Sequence, residues 1–191
     1  PGKFIEMFKK KGIIVIHKCT TLRHALAAER LGVDAVSVDG FECAGHPGTN
    51  DVGAMVLLAK ARDVLTVPFL ACGGIGTGRQ LAAALALGAD WCNSARGFMF
   101  AVGCIQAQAC HTNHCPVGVA TQDPTRQRAL DVDDKSQRVA RFHRNTLMAL
   151  GEMTGAAGLE HPSDFLPRHM MMRQSDNSMV QGDQVYGYLP E

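Results

Sequence analysis

The chain has no excess of charge of either sign and no long apolar run. Its 191 residues carry 19 Lys and Arg against 18 Asp and Glu, and the formal net charge is +1. Because there is no basic block, we expect neither nucleic acid nor a membrane surface as a partner. Because no apolar stretch reaches the roughly 20 residues of a spanning helix and no signal peptide is recognisable, we expect a cytoplasmic location.

Aromatic residues are also scarce, at 6% with a single Trp, whereas glycine (20) and cysteine (7) are well represented. An odd number of cysteines without secretory features disfavours a disulfide framework. Metal ligands, an iron–sulfur cluster or core thiols are the expected uses. The chain length and the 46% share of hydrophobic residues suit one domain with a real core, or part of one.

The most informative pattern lies in residues 66–100. A short apolar run, Val67 to Ala71, has the length of a buried strand and leads into a turn with four glycines at positions 73, 74, 76 and 78. Thr77 is placed to cap a following helix. A second strand at 90–93 then enters another turn of small residues, Ser94 to Gly97.

Two such turns in succession are how a parallel α/β barrel builds a phosphate site from its last two strands. Backbone N–H groups at a helix start would meet the phosphate there. Arg79 stands where the dinucleotide fingerprint would need its third glycine, which favours a mononucleotide such as FMN over NAD. Ordinary βα turns without a ligand are the alternative interpretation.

Strand–helix units also precede this pattern. Strands are predicted at 13–16 and 34–38, each followed by a helix, and the total is four βα units. Since a closed barrel needs eight strands and typically around 250 residues, four units are half of one. The predicted fold class is therefore α/β, the C-terminal half of a TIM (β/α)8 barrel, with a helical C-terminal extension that contains an amphipathic helix at 136–153.

This interpretation divides the chain into three parts. We predict a half-barrel with the phosphate site at 1–100, a cysteine-rich loop and helical extension at 101–172, and a flexible tail at 173–191. A half-barrel leaves strand edges and an apolar face open, so a homo-oligomer or a missing N-terminal barrel half is the expected partner.

His46 is the candidate catalytic residue. It lies in a long glycine-rich loop, Asp39 to Asn50, that follows the second predicted strand, and Asp51 is placed to cap the next helix. The pKa of an imidazole suits it to abstract a carbon-bound proton near neutrality. A histidine that only binds backbone groups is the alternative.

The wider pattern supports the catalytic interpretation. IHKCTTLRHALAAERLGVDAVSVDGFECAGHPGTNDV, followed by ACGGIGTGRQLAAALALGAD, closely resembles the nitronate monooxygenases, FMN enzymes on a TIM barrel that oxidise alkyl nitronates with O₂. The resemblance covers about residues 1–90. It implies that His46 is the active-site base and that Gly73 and Gly74 hold the flavin phosphate.

The same resemblance implies that Lys18, Asp39 and Ala44 lie near the flavin. A cation such as Lys18 at a strand end can stabilise negative charge on a reduced flavin. At the second turn the family has glycine and threonine before its arginine, whereas this chain has Ser94 and Ala95 before Arg96. Phosphate contacts at Ala95 and Arg96 are therefore expected mainly from backbone N–H groups.

Three cysteines form a second candidate site. Cys104, Cys110 and Cys115 are spaced C-x5-C-x4-C, and Pro116 follows. Thiolates are the usual ligands of iron–sulfur clusters, and a Cys-Pro ending recurs in such sites. Three buried thiols are an equal alternative, and His111 and His114 nearby make zinc a further option.

A second resemblance bears on these cysteines. NSARGFMFAVGCIQAQACHTNHCPVGVATQDP, together with RVARFHRNTLMAL, is similar to the FMN-binding synthase domain of glutamate synthase over about residues 73–170. It implies that Cys104, Cys110 and Cys115 hold a [3Fe–4S] cluster beside FMN.

Three functions follow from the two resemblances. The first is an FMN-dependent oxidoreductase of nitronate monooxygenase type, with a nitronate and O₂ as small-molecule substrates. The second is a glutamate-synthase-like module that passes electrons between FMN and the cluster, with an amino-nitrogen donor as substrate. The third is an inactive truncated or chimeric half-barrel.

Overall fold

The structure, a computed structural model, describes residues 2–43, 45 and 48–186. Of the predicted site residues, Ala44 and His46 lie outside these ranges.

Strands and helices alternate through the first hundred residues. In chain order they are α1 (Gly2–Lys10), β1 (Ile16–Cys19), α2 (Leu22–Arg30), β2 (Ala35–Asp39), α3 (Ala54–Val64), β3 (Phe69–Cys72), α4 (Gly78–Ala86), β4 (Trp91–Asn93) and α5 (Arg96–Val102). They are followed by α6 (Pro124–Gln127), α7 (Val132–Ala156), β5 (Met171–Arg173), β6 (Met179–Gln181) and α8 (Gly182–Tyr186). No helix of the described part of the chain is both long and apolar enough to cross a bilayer.

The first four strands form one parallel sheet in the order β1-β2-β3-β4. This confirms the predicted α/β class with a parallel sheet. The register places Asp39 opposite Cys72 and Cys72 opposite Asn93, at the carboxyl ends of three neighbouring strands. The strand predicted at 13–16 is displaced, because Val15 donates its N–H to the Asp34 carboxylate at 2.8 Å and pairing begins only at Ile16.

The two faces of this sheet are covered to different extents in the described part of the chain. Val36, Val38 and Ala71 are buried in the core with Leu58 of α3. Because successive side chains of a strand point to opposite faces, the other face carries the alternate residues. On that face Ile16 and Trp91 of the outer strands are 54% and 55% exposed, whereas Ala35, Ser37 and Asp39 of β2 are buried.

Helix α7 packs against α4 and α5. It contains the amphipathic helix predicted at 136–153 and extends it at both ends. The approach to α4 is close, since a Cβ at Gly78 would be 2.7 Å from the backbone nitrogen of Leu150. This packing brings the C-terminal part of the chain next to the turn between β4 and α5.

The helix caps are partly as predicted. The Thr77 hydroxyl accepts a hydrogen bond from Gln80 N and caps α4 as predicted. At α2 the Thr21 hydroxyl accepts one from His24 N. The cap predicted at Asp51 is wrong. Helix α3 begins at Ala54 after an extended Gly53, too far along the chain for Asp51, and the Glu42 carboxylate accepts the Ala54 N–H at 3.0 Å instead.

Two short strands and a helix lie near the C-terminal end of the described residues. β5 and β6 pair antiparallel, with Met171 opposite Gln181, and α8 follows them directly. Secondary structure thus extends well beyond residue 173.

Candidate functional site

A cavity of about 440 Å³ lies at the carboxyl ends of β3 and β4. Four of the residues predicted to bind a cofactor line it, namely Gly73, Gly74, Ala95 and Arg96. The remaining lining residues are Glu42, Cys72, Ile75, Gly76, Thr77, Gln80, Asn93, Gly97, Phe100, Ala101 and Phe142. The two small-residue turns therefore face one common space of a size typical for small ligands.

Glycine is required in these turns because other chain segments approach closely. Gly73 has a φ of +102°, and a Cβ there would be 2.9 Å from the backbone nitrogen of Cys43. At Gly97 a Cβ would be 2.7 Å from the ring of Phe142. A side chain at either position would therefore displace a neighbour, and at Gly73 it would also strain the backbone.

The cavity has features that attract an anion. The nine-residue helix α4 begins at Gly78 beside it, and the positively charged Arg96 is among its lining residues. Partial positive charge at a helix start and a forked cation both favour phosphate. The two turns are tied together, since the Ser94 hydroxyl donates to the carbonyl of Ile75 at 2.8 Å.

Lys18 and Asp39 form an ion pair of 3.2 Å at the ends of β1 and β2. Asp39 is buried and also accepts a hydrogen bond of 2.6 Å from the Ser37 hydroxyl. Burial disfavours the charged form of Lys18, but the hydrogen bond and the negative charge of Asp39 outweigh it, so the pKa of Lys18 lies above its ordinary 10.5. This ion pair adjoins the cavity, because Asp39 is opposite Cys72, which lines it.

Two thiols next to this ion pair are held protonated. Burial raises the pKa of Cys72 to about 11, and the negative charge of Asp39 adds to the effect. Burial and Asp39 also raise the pKa of Cys43 above its ordinary 9.0, against the opposing effect of Lys18. Since the thiolate is the reactive form, neither cysteine is suited to act as a nucleophile near neutral pH.

The three cysteines predicted as cluster ligands are not brought together. Cys104 is half-buried, Cys110 is exposed and Cys115 is buried. Within the described ranges, no three His, Cys, Asp or Glu side chains form a group that could hold a metal ion. Cys115 instead accepts hydrogen bonds from the backbone of Ala120 and Val117, which lower its pKa. Neither the [3Fe–4S] ligand set nor the zinc option fits this arrangement.

Two further lining residues, Glu42 and Phe142, could not be assigned to the site from the sequence pattern. Glu42 belongs to the GFECAGHPG segment, but its position between α3 and the glycine turn leaves no signal in the local pattern. Phe142 lies on the apolar stripe of α7 and reaches Gly97 through packing between helices. The edge-to-face contact of its ring with Phe98, at 5.0 Å between centroids, holds it there.

Comparison with known proteins relates this chain to two groups. Residues 14–160 match the family described as "Conserved region in glutamate synthase". The chain is 45% identical over 115 residues to the glutamate synthase large subunit-like protein YerD of Bacillus subtilis (strain 168), a match that covers 60% of this chain and 22% of that protein. It is 36% identical over 97 residues to a probable nitronate monooxygenase of the same organism, covering 47% of this chain and 28% of that protein.

The chain thus spans only about a quarter of the length of these curated relatives. Among solved structures, FabK from Thermotoga maritima aligns over 82% of this chain and 67% of its own, with a TM-score of 0.59 and 21% identity. This likeness concerns the fold alone.

Proposed function

Because the chain belongs to the family of the conserved region in glutamate synthase and has nitronate monooxygenases among its homologues, we propose that it is an FMN-dependent oxidoreductase. The observation that carries the proposal is the common cavity. The Gly73–Gly74 turn and the Ala95–Arg96 turn, two segments that are separate in the sequence, line the same space.

The residues present fit the phosphate of FMN. The glycine turn has no side chain that would fill the cavity, α4 begins beside it, and Arg96 offers a charged donor. The protein would bind the phosphate there and orient the cofactor, while Lys18 would hold positive charge near it through its ion pair with Asp39. When bound, FMN would supply the electron-transfer chemistry.

A titration of the purified protein with FMN tests this proposal. Arg96→Ala should weaken binding about tenfold, the usual size for a lost hydrogen bond to a charged group. Arg30→Ala is the matched control, since Arg30 is an exposed arginine in the last turn of α2. Absence of FMN binding by the wild-type protein would reject the proposal.

The finer proposal is a nitronate monooxygenase type of reaction, with a nitronate and O₂ as substrates and His46 as the base that takes the proton on carbon. The support is the GFECAGHPG segment of the resemblance, in which His46 lies; Ala44 of the same segment is proposed to lie near the flavin. Oxygen uptake with FMN and an alkyl nitronate tests it. Uptake no faster than that of free FMN, or unchanged in His46→Asn, would contradict the assignment.

A glutamate-synthase-like module with FMN and a [3Fe–4S] cluster is the second candidate. The family match over residues 14–160 favours it. The arrangement of the cysteines does not favour this candidate, since the thiols of Cys104, Cys110 and Cys115 are not grouped as metal ligands. Anaerobic reconstitution followed by an iron and sulfide assay decides between the two. A Cys110→Ala variant that binds as much iron as the parent would exclude ligation by this cysteine.

We further propose that residues 1–100 are one half of a TIM barrel, extended by residues 101–172, with the segment 173–191 as a separate tail. The support is the sequential parallel strand order and the exposure of Ile16 and Trp91 in the two outer strands of the sheet. Parallel sheets are normally covered on both faces, so a second copy or an N-terminal barrel half would complete this one. Gel filtration tests this, because a compact soluble monomer would contradict it.

A further inference from the structure

Glu42 caps a helix that begins twelve positions further along the chain. Its Oε2 accepts the backbone N–H of Ala54 at 3.0 Å. Gly53, the residue at the cap position itself, has no side chain to do so. One of the unpaired N–H groups at the start of α3 is thereby satisfied, and a carboxylate lies where the helix dipole favours negative charge.

Two glycines leave room for this carboxylate. A Cβ at Gly40 would collide with both Glu42 Oε2 and Ala54 N, and a Cβ at Gly53 would be 3.1 Å from Glu42 Oε1. Gly53 has a φ of −66°, which any residue can adopt. A side chain at Gly53 would therefore crowd the carboxylate, and one at Gly40 would collide with both the carboxylate and the backbone of Ala54.

The other side of Glu42 contacts the phosphate turn. A Cβ at Gly73 would be 3.4 Å from the carbonyl carbon of Glu42, and one at Gly74 would be 3.8 Å from the Glu42 Cβ. Gly40 N–H also donates to the carbonyl of Cys72 at 3.0 Å. Glu42 lines the cavity of about 440 Å³ and also a second one of about 500 Å³, which the glycine turn borders as well.

Glu42 also stands at the base of a loop. The Phe41 N–H donates to the carbonyl of Val52 at 3.0 Å, directly before the Glu42–Ala54 hydrogen bond. The chain leaves this pair of contacts at Cys43 and returns to it at Val52. His46 belongs to the loop by its place in the sequence.

We propose that Glu42 is a positioning residue that holds the start of α3 and the Gly73–Gly74 turn in one arrangement and so determines the shape of the phosphate end of the cavity. The consequence for FMN affinity rests on the proposed function. The effect on hydrogen exchange of the ligand-free protein does not depend on the proposed function, and the two effects are measured separately.

Hydrogen exchange of the ligand-free protein provides the first test. In Glu42→Ala, amides in 54–58 and in 73–76 should exchange about fivefold faster, the size expected for a lost helix cap. Glu42→Gln should restore both segments, since an amide oxygen can still accept the Ala54 N–H. Unchanged exchange in Glu42→Ala, or a change confined to 54–58, would overturn the proposal.

Glu29 offers a matched control. Its Oε1 accepts the backbone N–H groups of Thr66 at 2.7 Å and Val67 at 3.0 Å, so it makes the same kind of contact at the other end of β3. Glu29→Ala should speed exchange in 65–70 and leave 73–76 as in the wild type. Faster exchange at 73–76 in this variant as well would point to general loosening and overturn the specific role of Glu42.

Titration with FMN provides the second test. Glu42→Ala should bind FMN at least about fivefold more weakly than the wild type, while Glu42→Gln and Glu29→Ala should bind nearly as well. If Glu42→Ala binds FMN like the wild type, the positioning role is overturned and the FMN site stands. If the wild type itself fails to bind FMN, the FMN proposal is rejected and the exchange experiment still decides the role of Glu42.

Discussion

Replacement of Gly73 by alanine tests the phosphate turn most directly. Gly73 has a φ of +102°, and the new Cβ would be 2.9 Å from Cys43 N and 3.3 Å from Cys43 Cα. The backbone of Cys43 cannot easily retreat, because its N–H donates to the carbonyl of Gly40 at 3.0 Å. The Gly40 N–H in turn donates a hydrogen bond of 3.0 Å to the carbonyl of Cys72 in β3. Strain and close contact therefore act on the same rigid segment.

The magnitude follows from these two effects. A left-handed backbone conformation costs a residue with a Cβ about 1–2 kcal/mol. Inserting a methyl group into a packed site costs roughly 1–3 kcal/mol more. We expect Gly73→Ala to lower the free energy of unfolding by about 2–5 kcal/mol, a large fraction of the roughly 5–15 kcal/mol of a typical domain.

Urea denaturation followed by circular dichroism measures this change, with an FMN titration under conditions where the variant is still folded. Gly151→Ala in α7 is the control, because nothing lies within 4 Å of a Cβ there. It should stabilise the protein by about 0.5–1 kcal/mol, as expected for glycine to alanine inside a helix. A Gly73→Ala variant with the same urea midpoint and FMN affinity as the wild type would refute the close approach of Cys43 to this turn.

Three further predictions concern other contacts. Gly97→Ala should weaken FMN binding because the new Cβ would be 2.7 Å from the Phe142 ring. Adding Phe142→Leu should recover part of the lost affinity. If the effects of the two substitutions on FMN affinity are additive in a double-mutant cycle, this coupling is contradicted. Hydrogen bonds from Thr66 and Val67, just before β3, hold the pKa of Glu29 below its ordinary 4.5. The stability that these hydrogen bonds provide is therefore fully present above pH 4.5 and is lost as the pH falls through the lowered pKa of Glu29. Urea midpoints of Glu29→Gln across this range should depend less on pH than those of the wild type, and parallel curves would argue against the prediction. A maleimide at pH 8 should modify the exposed Cys110 rapidly and Cys92 slowly, because burial raises the pKa of Cys92 to about 12. Equal rates of modification would contradict this raised pKa.

Local signals in the sequence were sufficient for several features. The cap at Thr77 could be predicted because its hydroxyl binds an N–H only three residues further on. The cap at Asp51 could not be predicted correctly. Helix α3 begins only at Ala54, after the extended Gly53, and the Ala54 N–H is accepted by Glu42, which lies twelve residues earlier in the chain. The predicted start of β1 was early because a contact between Val15 and Asp34 replaces strand pairing there.

The candidate site shows the same division. Gly73, Gly74, Ala95 and Arg96 could be assigned to one cavity because the carboxyl ends of neighbouring parallel strands share one edge of the sheet. Spacing alone could not show whether the three cysteines of the 104–115 loop meet, because a loop of that length can fold in many ways. In the structure they do not form a metal-binding group.

The sequence by itself determined the alternation of strands and helices, the parallel α/β class and the two small-residue turns. These features depend on interactions between residues a few positions apart and on the periodicity of the apolar residues. Only the tertiary structure decided that Glu42 and Phe142 complete the cavity, one from a loop and the other from α7. The contacts of these two side chains join segments that are distant along the chain, and such contacts exist only once the helices and the sheet have packed.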